Sequence, residues 1–397
     1  VNPLNKNNKL AFLATIGFVF ILLSSQVMWV TFSPVVTYVA KELNTSVEFV
    51  GLLAVTYPTL FLILTIPSGI LLDRNFKFWL IFGTITTFLG SIIRYAFINY
   101  WWFFFAQLLG AIGQPFLLNG IVPFASKLFE ERRRTLIISV LSSSMYLGAI
   151  IALGTGATLY SIGGILLLMS LSAAFGILGF ILLVLFIMPL KIMRNESEEK
   201  QGSLKNMDII LKRRDLWFVG LILGLGIAAF DNLSTWLQPA LSSIDLGNIA
   251  GEAVAISIIL GLINTIIIPR YIAKKNARAT YLRIVTLSTS ILFIILAIMA
   301  NSIFIFLLLG MSGILMIPGY SIIMDWISKF TKKDIHGNAT GFVGLISRII
   351  SVSLTYSAVL FIVSSRLYFS FLAISVILAF LISMMLPSDK KIEEFMK

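Results

Sequence analysis

Runs of about twenty apolar residues recur from one end of this 397-residue chain to the other, each bounded by charged or turn-forming residues. A helix needs about 20 such residues to cross the hydrocarbon core of a bilayer. Oil offers no partner to a free N–H or C=O, so only helices or closed barrels span it. The runs fall at approximately 11–38, 47–72, 78–98, 101–127, 135–160, 164–189, 216–240, 250–270, 281–300, 302–328, 338–363 and 366–387, with Asn264 interrupting the eighth. They predict an all-α polytopic membrane protein of twelve spans; a signal peptide would give one short run at the start. The balance of 58% hydrophobic and 12% charged residues agrees, since soluble domains are nearer a quarter charged.

The net charge of +12 raises the question of nucleic acid, and the placement of the charges answers it. With an even number of spans both termini lie on one side. That side collects 26 of the 30 basic residues, among them Arg74, Lys77, the run Arg132–Arg134, the central group from Lys191 to Arg214, Arg278 and Lys329, Lys332 and Lys333. Only Lys41, Arg94, Arg348 and Arg366 fall elsewhere. Cytoplasmic loops carry such an excess, so both termini are expected in the cytoplasm, the protein in the plasma membrane, and no nucleic acid as partner. The absence of cysteine excludes disulfides, thiolate metal sites and thiol nucleophiles.

The polar stretch KIMRNESEEKQGSLKNMDIILKRRD, Lys191–Asp215, divides the spans six and six. The expected organisation is an N-terminal bundle over 1–189, a cytoplasmic linker over 190–215, a C-terminal bundle over 216–387 and a tail over 388–397. The halves echo each other: IPSGILLDRNFK follows the second span and IIPRYIAKKNAR the eighth, while KLFEERRRT and SKFTKKDIHGN join spans four to five and ten to eleven. Two six-helix repeats around a midplane cavity form a recurrent transporter architecture.

GILLDRNFK, Gly69–Lys77, resembles the loop signature of the major facilitator superfamily: glycine, three residues, then Asp-Arg. The second glycine of that signature falls at Phe76. The resemblance implies a two-bundle fold with a central cavity and assigns cytoplasmic gate roles to Asp73 and Arg74; a plain basic membrane-edge loop is the alternative. Two superfamily motifs are missing: the fourth-span arginine is Ala106 by spacing, and SMYLGAIIALGTG lacks the glycine-proline antiporter motif. LLGAIGQPFLLNGIVPFASKLFEERRRT, Leu108–Thr135, with SSQVMWVTFSPV and AAFDNLSTWLQP, is similar to the feline leukaemia virus subgroup C receptor-related transporters. These are major facilitators associated with haem, choline and ethanolamine. That likeness implies a first-span tryptophan, Trp29, facing a quaternary ammonium, and Gln114 of the Gln-Pro-Phe run making a polar contact to it. Where the family has a tyrosine in the seventh span this chain has Asp231, and where it has a glutamine in the eleventh it has Arg348.

An ionisable residue inside a span is by default a functional candidate facing the bundle interior. Asp231 lies about 22 Å along the seventh span and Arg348 about 16 Å along the eleventh, measured from the cytoplasmic end at 1.5 Å per residue. An ion pair between them offsets part of the burial cost of each; the alternative is an Arg348 in a wet cleft and an Asp231 capping a helix break. Phe230 and Trp236, beside Asp231 in the same run, are counted with it as substrate contacts. An aromatic face attracts a cation by about 0.5–2 kcal/mol, which suits Trp29, although an interfacial belt position explains it equally. Gln114 next to Pro115 in mid-span needs a polar partner. Asp325, near the cytoplasmic end of the tenth span, is expected to brace the gate with a neighbouring lysine. Asn119 and Asn264 serve as helix–helix glue or ligands, Gly220-xxx-Gly224 as a close-packing face, and Arg94 as a snorkelling residue at the outer end of the third span. His336 is the one histidine and falls in a loop, so neither a haem ligand nor a metal site is built on it.

The reading that follows is a secondary transporter of a small organic solute, a cationic or zwitterionic amine, working as a monomer in the lipid bilayer by alternating access, with no cofactor. No P-loop signature is present, and Asp231 is the deep acidic residue able to carry a coupling proton. Proton-coupled movement of another small metabolite and a receptor without flux are the alternatives. A polytopic membrane enzyme is disfavoured by the lack of clustered histidines, cysteines or an HExxH pair.

Overall fold

The computed structural model describes residues 3–190, 207–331 and 335–396. The linker lysines and arginine at Lys191, Arg194, Lys200 and Lys205, and the loop residues Lys332 and Lys333, lie outside the described residues. All regular structure described is helical: α1 Pro3–Val30, α2 Val36–Glu42, α3 Val47–Arg74, α4 Phe76–Ile93, α5 Tyr100–Leu128 and α6 Glu131–Ile187 in the first half. The second half holds α7 Met207–Lys212, α8 Arg214–Ser242, α9 Ala250–Lys275, α10 Arg278–Ile298, α11 Ser302–Phe330, α12 His336–Ser357, α13 Ser365–Met385 and α14 Asp389–Met396.

Eleven stretches are long and apolar enough to cross a membrane, and one of them is double. The 57-residue α6 breaks at Gly163 (φ −139°, ψ 19°) and Gly164 (φ 62°, ψ −157°), so 131–162 and 165–187 are separate arms and the spans number twelve. The φ of Gly164 is open to glycine and strained for any residue with a Cβ. Pro58, Pro67, Pro115, Pro123, Pro239, Pro269 and Pro318 all sit inside long helices. Spanning helices tolerate them because neighbouring helices and hydroxyl side chains re-satisfy the freed carbonyls.

The chain divides into two compact units, Val1–Gly202 and Ser203–Lys397. In the first, α1 packs along both arms of α6, α3 along α5, and α4 along α5 and α6. In the second, α8 packs along α12 and α13, α9 along α11, and α10 along α11 and α13. The same pairings in the same order are the structural form of the sequence echo. Gly220 and Gly224 behave as expected: a Cβ on Gly224 would lie 2.8 Å from the Ile350 Cβ and 2.9 Å from the Ser347 Cα of α12.

The echo extends to single residues. Asn99 and Asn301 accept from the N–H of Trp102 (2.9 Å) and Phe304 (3.0 Å), capping α5 and α11 alike. Asn75 accepts from Phe78 N–H and caps α4, while Asn276, in the left-handed conformation, ends α9. Two residues beyond each stands a cation that ties the end of its own unit. Lys77 donates to the carbonyls of Met188 and Leu190. Arg278 donates to Asp389 (2.9 Å), and Arg283 to the Ser383 and Leu386 carbonyls. The tail segment is docked on its own unit: Asp389 also accepts from the N–H of Arg278 and Ala279, capping α10 from a distant helix, and Ile392 is buried in the same apolar cluster as Leu216 and Trp326.

The first span departs from expectation. The sequence predicts one run over residues 11–38; the crossing stretch is Asn7–Glu42, but within it α1 stops at Val30, turns through a short 3-10 segment at Ser33–Val35 and restarts as α2. Pro34 causes this, since it cannot donate the N–H that would continue the ladder.

Candidate functional site

Asp231 stands on α8, seventeen residues above Arg214, or about 26 Å along the helix. Only 2% of it is exposed, and an isolated carboxylate there would be costly. Two residues of α12 compensate it. Ser351 donates its hydroxyl to Oδ2 of Asp231, and Arg348, one turn earlier on the same face, places Nη1 3.6 Å from that oxygen. This separation is too long for a direct hydrogen bond and short enough for strong attraction in a low-dielectric interior. The Arg348 side chain keeps 31% of its surface, so the pair is asymmetric: the acid is sealed and the base is half open.

Around this pair the AAFDNLSTWLQP run is almost wholly buried. Trp236 is fully buried, and its indole N–H donates to the Thr355 carbonyl at 2.9 Å, tying α8 to α12. Phe230 is half-buried. Asn232 folds its amide N–H onto the Ala228 carbonyl (2.7 Å), leaving Oδ1 buried without a partner among the described residues, as is the Ser234 hydroxyl.

In the first unit Trp29 is half-buried, with its indole N–H enclosed and unpartnered. Gln114 is 6% exposed and has no side-chain hydrogen bond among the described residues. Asn119 is spent on helix packing, donating to the Thr65 carbonyl (2.8 Å) and Ser68 hydroxyl (2.9 Å) of α3. Asn264 donates to the Leu260 carbonyl on its own helix, and His336 meets the Thr331 hydroxyl at 3.1 Å.

Arg94 overturns its expected role. It does not snorkel: it is 1% exposed and makes no ion pair among the described residues. Its Nη2 donates to Gln107 Oε1 at 2.7 Å, its Nη1 lies 3.3 Å from the Thr31 hydroxyl, and its guanidinium carbon sits 5.6 Å from the Phe32 ring centroid. Gln107 in turn donates to the carbonyls of Met28 (2.9 Å) and Trp29 (3.4 Å). These carbonyls belong to the last turn of α1, where a helix leaves its acceptors unpaired and presents the negative end of its dipole. The buried cation is thus held by a helix end, an amide and an aromatic face. Sequence reasoning missed this because nothing local links Arg94 to Thr31, Phe32 or Gln107; the mid-span Gln107 was the available signal.

Asp73 and Arg74 are exposed in the last turn of α3. Asp325 is braced by Arg278, at 2.6 Å from both Nε and Nη2, and the expected lysine does not take that place. Lys329 donates instead to Asn276 Oδ1 at 2.6 Å. A guanidinium can serve two carboxylates from one planar fork, and Arg278 does so for Asp325 and Asp389; an ammonium has no such geometry.

Comparison with known proteins places this arrangement. The family model described as Major Facilitator Superfamily matches residues 18–355. A protein of Archaeoglobus fulgidus described only as uncharacterized is 25% identical over 181 residues, covering 45% of this chain and 83% of its own. Solute carrier family 49 member A3 of Xenopus tropicalis is 28% identical over 145 residues, 32% of this chain and 29% of that protein, so the match spans less than a third of this relative. Among solved structures, a bacterial homolog of the human lysosomal transporter Spinster, inward-facing and unoccupied, superposes with a TM-score of 0.78 at 12% identity, covering 97% of this chain and 98% of that one. A bacterial homolog of Spinster in an inward-facing, occupied conformation gives 0.67 at 13% identity, with 95% and 94% covered. At these identities the structures speak for the fold alone. With twelve spans in two like units and a family match over most of its length, the chain is a multi-pass membrane protein that belongs to the Major Facilitator Superfamily.

Proposed function

We propose that the protein is a secondary transporter that moves a small organic solute, a zwitterionic or cationic amine, across the plasma membrane by alternating access, with both termini in the cytoplasm. The observation that carries this reading is the Asp231–Arg348 pair. A sealed carboxylate and a half-open guanidinium inside two spans are not what packing alone selects, because a buried ion pair is often no more stable than apolar residues of the same volume. A charge held at 3.6 Å with its open side on Arg348 is suited to exchange partners with a polar solute. Trp29 and Gln114 are proposed as contacts from the first unit, Trp29 supported by an enclosed indole N–H with no partner among the described residues and Gln114 by its burial in mid-helix beside Pro115. Phe230 supplies a half-buried aromatic edge, Trp236 the rigid support of α8, and Asp73, Arg74 and Asp325 the cytoplasmic gate. The likeness of the Gln114 and Trp29 runs to the feline leukaemia virus subgroup C receptor-related transporters supports an amine. The departure at Asp231 and Arg348 favours a solute with a carboxylate or other polar group over choline itself.

The test is a thermal-shift screen of detergent-solubilised protein with choline, ethanolamine, amino acids, vitamins and haem, followed by uptake of the responding compound into proteoliposomes. A shift with an amine, lost in Trp29→Ala and Arg348→Gln, is the expected result. A shift with anions alone overturns the amine, and binding without uptake makes the protein a receptor. An imposed pH gradient that leaves uptake unchanged removes the coupling proton from Asp231.

A further inference from the structure

Arg366 is one of the four basic residues that lie outside the cytoplasmic clusters. It stands exposed in the first turn of α13, no acidic residue accompanies it there, and it has no partner among the described residues. Beside it a groove of about 600 Å³ runs between α10 and α13, a volume in the range of small-molecule sites. On α13 the groove is lined by Arg366, Ser370, Ile374 and Ile377, and on α10 by Ala297 and Ile298. Residues 366, 370, 374 and 377 form a single stripe at helical spacing, cationic at one end and apolar below.

The length of that stripe identifies its occupant. Eleven residues of helix rise about 16 Å, and half of a hydrocarbon core about 30 Å thick is about 15 Å. The α13 wall of the groove therefore matches one leaflet, with its cation at headgroup depth and its apolar residues at acyl depth, while α10 contributes the shorter wall of Ile294, Ala297 and Ile298. A soluble anion would satisfy Arg366 and leave the floor empty. An uncharged apolar molecule would fill the floor and leave Arg366 without a counter-ion. We infer that this groove is a binding site for one phospholipid, its phosphate on Arg366 and one acyl chain laid along α13 against α10. The site uses none of the residues assigned to the solute, so it stands or falls independently of the transport reading.

The experiment uses the full chain in a mild non-ionic detergent, titrated with dioleoyl phosphatidylglycerol, dioleoylglycerol and glycerol phosphate, with binding read by native mass spectrometry and thermal shift. Phosphatidylglycerol is expected to bind, dioleoylglycerol more weakly, and glycerol phosphate not measurably. Arg366→Gln is expected to weaken phosphatidylglycerol about tenfold, the loss of one charge-assisted contact, and to leave dioleoylglycerol unchanged. Ser370→Phe, which narrows the groove below the cation, is expected to weaken both lipids. If that variant does not fold, Ala297→Leu narrows the facing wall and carries the same expectation. Equal phosphatidylglycerol affinity in wild type and Arg366→Gln makes the groove ordinary lipid-facing surface and overturns the site. Binding of glycerol phosphate as tight as that of the lipid overturns the acyl contact.

Discussion

Arg94 and Arg348 are both arginines inside a membrane-spanning bundle, and the two units treat them in opposite ways. Arg94 is sealed and meets no carboxylate among the described residues; the α1 terminus, Gln107 and Phe32 disperse its charge over neutral groups. Arg348 is half open and faces a sealed Asp231. Neutral dipoles fixed in a helix end cannot be exchanged for a ligand without unwinding that end, so the first arrangement is built to stay. A carboxylate 3.6 Å away can be traded for another anion or a proton with little movement, so the second is built to change. Burial and charge alone do not separate a structural cation from a working one; the nature of the compensating groups does.

The largest effect expected from breaking this contrast is in Arg348→Gln. It leaves Asp231 buried with Ser351 as its remaining partner, and removing one member of such a pair costs on the order of 3 kcal/mol. Chemical or thermal unfolding in detergent reads that loss, and uptake should vanish. Adding Asp231→Asn should restore most of the stability and none of the transport. Transport regained by the double variant would mark the pair as scaffold and erase the distinction. Arg94→Met comes next, at about 2 kcal/mol, because it strands the buried Gln107 oxygen and leaves the α1 dipole uncompensated. The fraction that folds should still transport. Loss of uptake at unchanged stability would move Arg94 into the working class. Asp389→Ala removes a trans cap and an Arg278 partner, for about 1–2 kcal/mol. Its unfolding midpoint should fall while solute affinity holds. Ser351→Ala is the mildest, about 1.5 kcal/mol for one hydrogen bond to a carboxylate that keeps its Arg348 partner, and a small fall in the unfolding midpoint with uptake retained is the expected readout.

Most of the architecture was legible in the sequence because it rests on span length and charge placement, both local quantities. The break anticipated between 160 and 164 falls at Gly163–Gly164, and the repeated loops foreshadowed the repeated pairing of helices. Asp231 and Arg348 were singled out because charges in oil are rare. What stayed hidden depended on contacts across long sequence separations. Arg94 looked like a residue free to reach the surface, since only the fold brings Gln107 and Thr31 around it. Asp325 was matched to a lysine close in sequence, while its partner Arg278 lies on another helix. Asp389 fell in the segment read as a tail, and nothing in a charged eight-residue helix announces that it caps α10.

The two-glycine turn inside α6 has a practical consequence for anyone labelling this protein. A connection of Gly163 and Gly164 leaves no slack to carry an epitope, a reactive tag or a protease site, and the φ of 62° at Gly164 resists any residue placed there. Accessibility reporters meant for that end of the first unit belong instead between α4 and α5, where residues 94–99 bridge the helices. Even there Arg94 must be spared, because the first position of that bridge is the one that holds α1 closed at its end.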